Sequence, residues 1–337
     1  MTKNWKSMLL IGSLLSFLVL LGSFNATKPR ILILHSTTSD SPWVAGVDRG
    51  MREQLDANRR PVSMEWMYMN ATAPTARVRI EEEKAAARRA IDRVDPDVLI
   101  AVDDEANLLV ARDYVGRTTP RILYVSLNRP PAELGYVGAA NVSGVTEQLP
   151  FTAIRDALRT LFPDRAPTVS VIGIDGPTGQ AEMGQVRGFD WGTIRLTGTA
   201  LVSTAGEWRD FVTPARSDVL VVLSCHDLPE ADGTVFTASD VIRWTQQNST
   251  ALPIGTQIDF VPAGGGLSFS PPAEDYGRRA IALALDWLDD RDTPGPPPPV
   301  ESPHFEVGVR PNALAAHGIT LPAIYIEAAR EADSLFP

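Results

Sequence analysis

The sequence predicts an α/β fold made of two doubly wound lobes, each built on a parallel sheet, and three observations carry that prediction. Short aliphatic runs recur, such as Ile31 to Leu34 and Val98 to Val102. They are too short for helices and lack polar alternation, which suits strands buried on both faces. Each run leads through a polar loop into a segment with helical apolar spacing. Finally, the series restarts beyond a small, polar stretch at Gly138 to Val145, so the two halves echo one another.

The first unit sets the pattern. After Ile31 to Leu34, a hydroxyl-rich loop reaches Ser41-Pro42, where Ser at the cap and Pro at the first helical position start a helix. Trp43, Val44, Val47, Met51 and Leu55 share one face of it. Ligands of such folds sit beyond the carboxyl ends of the strands, here His35 to Trp43. Val62 to Met69 reads as the next strand and Thr75 to Val94 as an amphipathic helix, stopped at Asp95-Pro96. Asp97 to Val102 is a buried strand, followed by Asp103-Asp104-Glu105 and a helical run through Tyr114. Arg121 to Val125 ends in Ser126-Leu127-Asn128 and a Pro130-Pro131 turn.

Gly138 to Val145 reads as the first crossing between lobes. Beyond it come a helix from Pro150 to Leu161, a strand Val169 to Ile174, a loop Asp175 to Gln180 and a helix toward Gly188. Ile194 to Thr197 and Val219 to Leu223 read as strands, with a helix near Glu207 to Val212 between them. Thr237 to Trp244 starts another helix, and Pro253 to Gly255 is a short strand opening on Thr256-Gln257. Gly264 to Ser270 suggests a return across the hinge, Glu274 to Leu288 a helix, and Pro294 to Pro299 a stiff connector. Phe305 to Val309 and a helix from near Asn312 complete the chain. The expected division is residues 1–27 as signal or anchor, 28–142 plus 264–295 as lobe one, and 143–263 plus 300–337 as lobe two.

At 337 residues and 44% hydrophobic content the chain can build two cores of ordinary size. Its net charge of -10, with basic residues scattered, argues against a nucleic-acid surface. A single cysteine, Cys225, rules out an internal disulfide and a cysteine metal cluster. Lys3 and Lys6 precede the apolar segment Met8 to Gly22, the layout of an export signal, which places the protein outside the cytoplasm. Two outcomes stay open. Ala26 suits the last position of a cleaved signal, although Phe24 is bulky where a small residue is expected, whereas the charge-free run of about 21 residues from Ser7 to Thr27 is long enough to cross a bilayer. The protein is then either soluble in the periplasm or held at the inner membrane by residues 8–24.

Several local patterns together resemble the solute-binding proteins of ABC transporters with the type I periplasmic binding fold, in the branch associated with aromatic amino acid uptake. They are Leu34-His-Ser36 with Pro42-Trp43 and Gly50; Val102-Asp-Asp-Glu-Ala106; Ile122-Leu-Tyr-Val125 leading to Asn128; Asn141-Val-Ser-Gly-Val145; Tyr276-Gly277; and Asn312 to Pro322. The resemblance implies two lobes joined by three crossings, a ligand between them and no catalysis. Two departures bear on ligand identity. Ser126-Leu-Asn-Arg-Pro130 stands where many members carry Asp-Pro, and Glu105 where Asn is more frequent. Some members of that branch look like sensory portions of signalling proteins.

The candidate ligand contacts are Ser36, Thr37, Trp43, Asp103, Asp104, Ser126 and Asn128 in lobe one, with Asp175, Asp227 and Gln257 in lobe two. Hydroxyls beside a helix start can donate to a ligand carboxylate. Trp43 is a stacking platform or plain core. Asp103-Asp104-Glu105 reads as helix capping, as capping combined with contact to a ligand amine, or as an acid/base pair. Cys225-His226-Asp227 invites a nucleophile or metal reading, but alternate side chains of an extended segment diverge and no second His lies at ligand spacing. Gly264-Gly-Gly266 is no phosphate loop, since no Lys-Ser or Lys-Thr follows. No cofactor is expected. The reading is a binding protein that captures a small polar ligand, an amino acid or related carboxylate, for an ABC permease. A membrane-anchored sensor and an exported two-lobed enzyme are the alternatives.

Overall fold

The computed structural model describes residues 3–58, 60–72, 76–290 and 295–337. Thr75, expected to begin a helix, and Pro294, expected to begin the proline connector, lie outside the described residues. In chain order the first lobe follows α1 (Lys3–Ala26) with β1 (Arg30–His35), α2 (Pro42–Asn58), β2 (Ser63–Tyr68), α3 (Ala76–Val94), β3 (Val98–Val102), α4 (Asp103–Leu109), β4 (Arg121–Leu127) and β5 (Val142–Thr146). The second lobe continues with α5 (Phe151–Leu161), β6 (Thr168–Ile174), α6 (Pro177–Gly188), β7 (Arg195–Val202), α7 (Ala205–Val212) and β8 (Val219–Val222). Next come the short hairpin β9 (Leu228–Pro229) and β10 (Val235–Phe236), then α8 (Ala238–Asn248), β11 (Leu252–Gly255) and β12 (Leu267–Ser270). After α9 (Ala273–Asp289) the chain closes with β13 (Val300–Glu301), β14 (Glu306–Val309), α10 (Pro311–Ala315) and α11 (Ala323–Glu331).

Two six-stranded sheets result, ordered β13-β5-β4-β3-β1-β2 and β14-β12-β11-β8-β6-β7. All pairings in both are parallel except β12 with β14, an antiparallel edge. The burial of both faces explains the aliphatic runs. In β1, Leu32 and Leu34 pack toward Ala87, Ala90 and Ile91 of α3, while Ile31 and Ile33 pack toward Val47 and Met51 of α2 and Tyr276 and Ala280 of α9. In β8, Val219 and Val221 join the cluster with Ile154 and Leu158 of α5, while Leu220 and Val222 join Trp208 of α7 and Val241 of α8. A strand flanked by helices on both sides has no polar face to alternate.

The crossings fall later than expected. Val142 to Thr146 is not a crossing but the strand beside β4, with Val142 and Val145 buried, so the chain first changes lobe over residues 147–150. Leu267 to Ser270 likewise belongs to the second sheet, where Leu267 and Phe269 enter its core, and the return is Pro271-Pro272. Val300–Glu301 pairs with β5 in the first sheet, so the third crossing is 302–305. The segments misread as hinges are small and glycine-bearing. That composition serves a strand hemmed in by neighbours as well as it serves a flexible link.

The helix α1 stands apart from both cores: its described apolar side chains face outward, with Leu10 71% and Leu20 68% exposed. Among the described residues, no helix is long and apolar enough to cross a membrane.

Helices α2 and α9 cross at unusually short range. A Cβ placed on Gly277 would lie 2.0 Å from the carbonyl oxygen of Val47, and one on Gly50 would lie 2.0 Å from that of Glu274. Both obstacles are backbone, so neither moves without parting the helices. Gly277→Ala is therefore expected to destabilise despite its better helix propensity, by about 1–3 kcal/mol as other overpacked sites do. A lower melting temperature, by roughly 2–10 °C for a protein of this size, checks it in a thermal denaturation scan.

Candidate ligand-binding cleft

Because the strands of each sheet run parallel, their carboxyl ends collect at one edge, and the two edges face each other across a shared cleft. The first strand-helix junction contributes Thr37, Ser41 and Trp43; the start of α4 contributes Asp103 and Glu105; the loop after β4 contributes Asn128. Glu147 comes from the first crossing. From lobe two come Thr178 and Glu182 of α6, Ser224 to His226 after β8, and Gln257 to Asp259 after β11. These groups line a partly open cavity of about 90 Å³. A larger compartment of about 370 Å³ adjoins it, sharing Thr72, Glu105, Thr178, Ser224 and His226, and adding Ile80, Leu109, Ile174 and Leu228.

One rim of the cleft is bridged directly. Glu105 accepts hydrogen bonds from the backbone N–H of Thr178 at 3.3 Å and from its hydroxyl at 2.9 Å. The amide nitrogen of Gln185 donates to the carbonyl oxygen of Asn128 at 3.1 Å and to that of Glu147 at 3.1 Å. Arg129 donates across the gap to the carbonyl of Pro177 at 3.2 Å. The two lobes are therefore drawn together.

The sequence-derived residues divide by what their polar atoms already touch. Thr37, Trp43, Asp103, Asn128 and Gln257 line the acidic cavity, and Asp175 and Asp227 line the larger compartment. Asp227 also caps α8, accepting from the N–H of Ala238 at 2.8 Å. Ser36, Asp104 and Ser126 do not line the acidic cavity. The Ser36 hydroxyl donates to the carbonyl of Val102 at 2.7 Å and accepts from the N–H of Ala106 at 2.8 Å, so it caps α4 from the neighbouring strand. Asp104 accepts from the N–H groups of Asn128 and Arg129 at 3.3 and 3.1 Å and fixes the loop after β4. Ser126, at φ +57, donates to Glu147.

The acidic triplet does not cap its own helix: α4 has Val102 at its cap and no side-chain cap bond. Instead Asp103 adopts φ +67 and accepts from the indole N–H of Trp43 at 3.0 Å. Left-handed backbone at a non-glycine residue is costly and gathers at functional sites. Asp103 and Ser126 both have it, at neighbouring strand tips. Behind them, buried His35 contacts Asp48 at 2.8 Å, and Asp48 also takes bonds from Trp66 and Tyr68, pinning α2 beside the first tip.

The cavity is electrostatically one-sided. Burial, and then repulsion from Glu105, hold Asp103 well above the ordinary carboxyl range. Burial and Glu105 push Asp104 up to about 7, against the pull of the Arg129 backbone. Glu182 reaches about 7 through burial, although Ser224 donates to it through both its hydroxyl and its N–H. Burial likewise raises Glu147, with the Ser126 hydroxyl acting in the other direction, and raises Asp259. The Cys225 thiol is raised by burial as well, which leaves little thiolate for nucleophilic chemistry.

Sequence reasoning passed over Thr178, Glu147, Glu182, Ser224 and Asp259. Thr178 and Glu182 are four apart on the first turns of α6, one face of a helix that starts directly after a strand tip, and that spacing is a readable signal. Glu147 carries no such mark, because its position follows only from where the chain changes lobe.

No family model and no curated protein matches this sequence. Solved structures do match in fold. The ABC domain in complex with L-Trp from Streptococcus pneumoniae is 16% identical, with 90% of this chain and 98% of that chain covered at a TM-score of 0.69. A conserved domain protein from Vibrio cholerae is 17% identical over 90% and 98%, at 0.66. A ligand-free, open substrate-binding protein with adhesive properties from Clostridium difficile is 15% identical over 88% and 96%, at 0.63. The chain thus has the two-lobed, three-crossing α/β fold of the periplasmic substrate-binding proteins.

Proposed function

We propose that this protein is an extracytoplasmic solute-binding protein that closes its two lobes on a small polar ligand and presents it to an ABC permease. The observation that carries the reading is the partly open cavity whose polar walls come from both lobes and from the first crossing. A ligand touching both walls favours the closed form through its differential affinity, which is the only way a ligand shifts such an equilibrium. An amino acid suits the cleft through its ammonium group, with Thr37, Trp43, Asp103, Asn128 and Gln257 as the proposed contacts. Export is assigned to the apolar run of α1 and the two lysines at its start. The outward apolar side chains of α1 also favour a second reading, a membrane-held sensor, marked by residues 8–24 remaining in the mature protein.

A thermal-shift screen of amino acids, amines, sugars and small carboxylates on the full-length protein tests capture, because a ligand of the native state must raise the melting temperature. Asp103→Asn and Gln257→Ala are expected to weaken the hit by at least about tenfold, the loss typical of one buried hydrogen bond to a polar group. The exposed change Asp56→Ala leaves it unaltered. If no compound stabilises the protein, the binding reading fails.

The free protein should also respond to pH in a set direction. Glu182 has its folded pKa raised from 4.5 to about 7, so its ionisation opposes folding as pH climbs through that interval and has no effect below it. Glu182→Gln is expected to flatten the fall in melting temperature between pH 4 and pH 8, with parent and variant alike at the acid end. Equal slopes would show that burial of this carboxylate is not what drives the fall.

A further inference from the structure

We infer that the ligand is an organic cation, a primary amine or guanidinium with an apolar body, whose charged head sits between Asp103 and Glu147. This inference rests on the binding reading above, keeps the ammonium group it places in the cleft and replaces its amino acid by a cation that carries no carboxylate. Carboxylates from every side face the acidic cavity: Asp103 and Glu105 on α4, Glu147 on the crossing, Glu182 on α6 and Asp259 after β11. Among the described residues no Lys or Arg lines it, and His226 is the single basic ring among them. Arg129, in the loop after β4, is engaged with Asp104 at 3.4 Å, Glu133 at 3.2 Å and the Pro177 carbonyl. A ligand carboxylate would enter this field with no cation to meet it.

Two carboxylates are left incomplete. Glu147 is 4% exposed, and one of its oxygens accepts from Ser126. Among the described residues, its Oε1 has no hydrogen-bond partner. Asp103 accepts from Trp43 through Oδ1 only, and its Oδ2 has no partner among them either. Glu182, by contrast, is satisfied by Ser224 and Gln257. Both oxygens belong to side chains that line the cavity, where a ligand's donors can reach them, and the carboxylates around them repel each other. An ammonium or guanidinium supplies both the charge and the several N–H donors that a quaternary amine lacks. A metal ion is a poorer answer, since among the described residues no three His, Cys, Asp or Glu groups are placed to hold one.

The adjoining compartment indicates the rest of the molecule. Its walls include Ile80, Leu109, Ile174 and Leu228, and it shares Thr72, Glu105, Thr178, Ser224 and His226 with the acidic cavity. A cation with an aromatic or aliphatic body can therefore place its head among carboxylates and its body against apolar side chains.

Titration calorimetry on the full-length protein tests this with tryptamine, agmatine and spermidine against tryptophan, glutamate and glucose, at pH 6 and pH 8. At least one of the three cations is expected to bind saturably, with affinity rising as protons leave, up to ~10-fold per pH unit for each proton released. Glu147→Gln, which keeps shape and removes charge, is expected to lower that affinity by at least tenfold and to reduce the proton release, measured from the heats in two buffers. Binding of tryptophan, glutamate or glucose with the cations inert overturns the cation assignment and leaves the binding reading standing. Unchanged affinity in Glu147→Gln overturns the placement of the head. Failure of all six compounds to bind overturns the assignment, and the wider thermal-shift screen then decides the binding reading separately.

Discussion

A parallel sheet brings the ends of all its strands to one edge, and when two such sheets are joined edge to edge the chain has no choice but to gather its polar tips in the gap between them. The strand ends and helix starts that cannot be covered by helices on the sheet faces are the only places where polar side chains can be buried in numbers. Thr37, Asp103, Asn128, Ser224 and Gln257 are each within a few residues of such an end. The backbone sustains this at a cost, with left-handed conformations at Asp103 and Ser126. These strained positions are held by contacts that cross between elements, Trp43 to Asp103 and Ser126 to Glu147.

Closure follows from the same geometry. Glu105 on one lobe and Thr178 on the other meet at the rim, while Gln185 reaches back to Asn128 and the crossing at Glu147. The rim contacts bring the carboxylates inside the cleft closer to one another, so they oppose the charge they help to enclose. A guest that neutralises the interior removes that opposition. In the proposed binding cycle, ligand charge and lobe closure are in this way coupled through one set of side chains.

Much of the fold was legible in the sequence because burial on both faces leaves an unmistakable aliphatic run, as in Ile31 to Leu34 and Val219 to Val222. The lobe boundaries were less so. Gly138 to Val145 and Gly264 to Ser270 read as hinges, yet each holds a strand, because close packing and flexibility call for the same small residues. Within the cleft, Thr37, Trp43, Asp103, Asn128 and Gln257 were found from their place after a strand. Ser36 and Asp104 share that place but turn to backbone groups, and a side chain's direction is not written in its position. Glu147 was missed because a crossing carries no local signature, whereas Glu182, four residues after Thr178 at the start of α6, sits at a spacing that could have been read.

The central claim is that the two sets of strand tips close on a guest. Asp40 and Ser239 are exposed on opposite sides of the cleft mouth, one in each lobe. Pulsed electron resonance between spin labels at Asp40→Cys and Ser239→Cys measures the gap directly. The account predicts a broad or two-population distance in the free protein that collapses to the shorter distance with any compound that raises its melting temperature. A single distance, unmoved by such a compound, would contradict it.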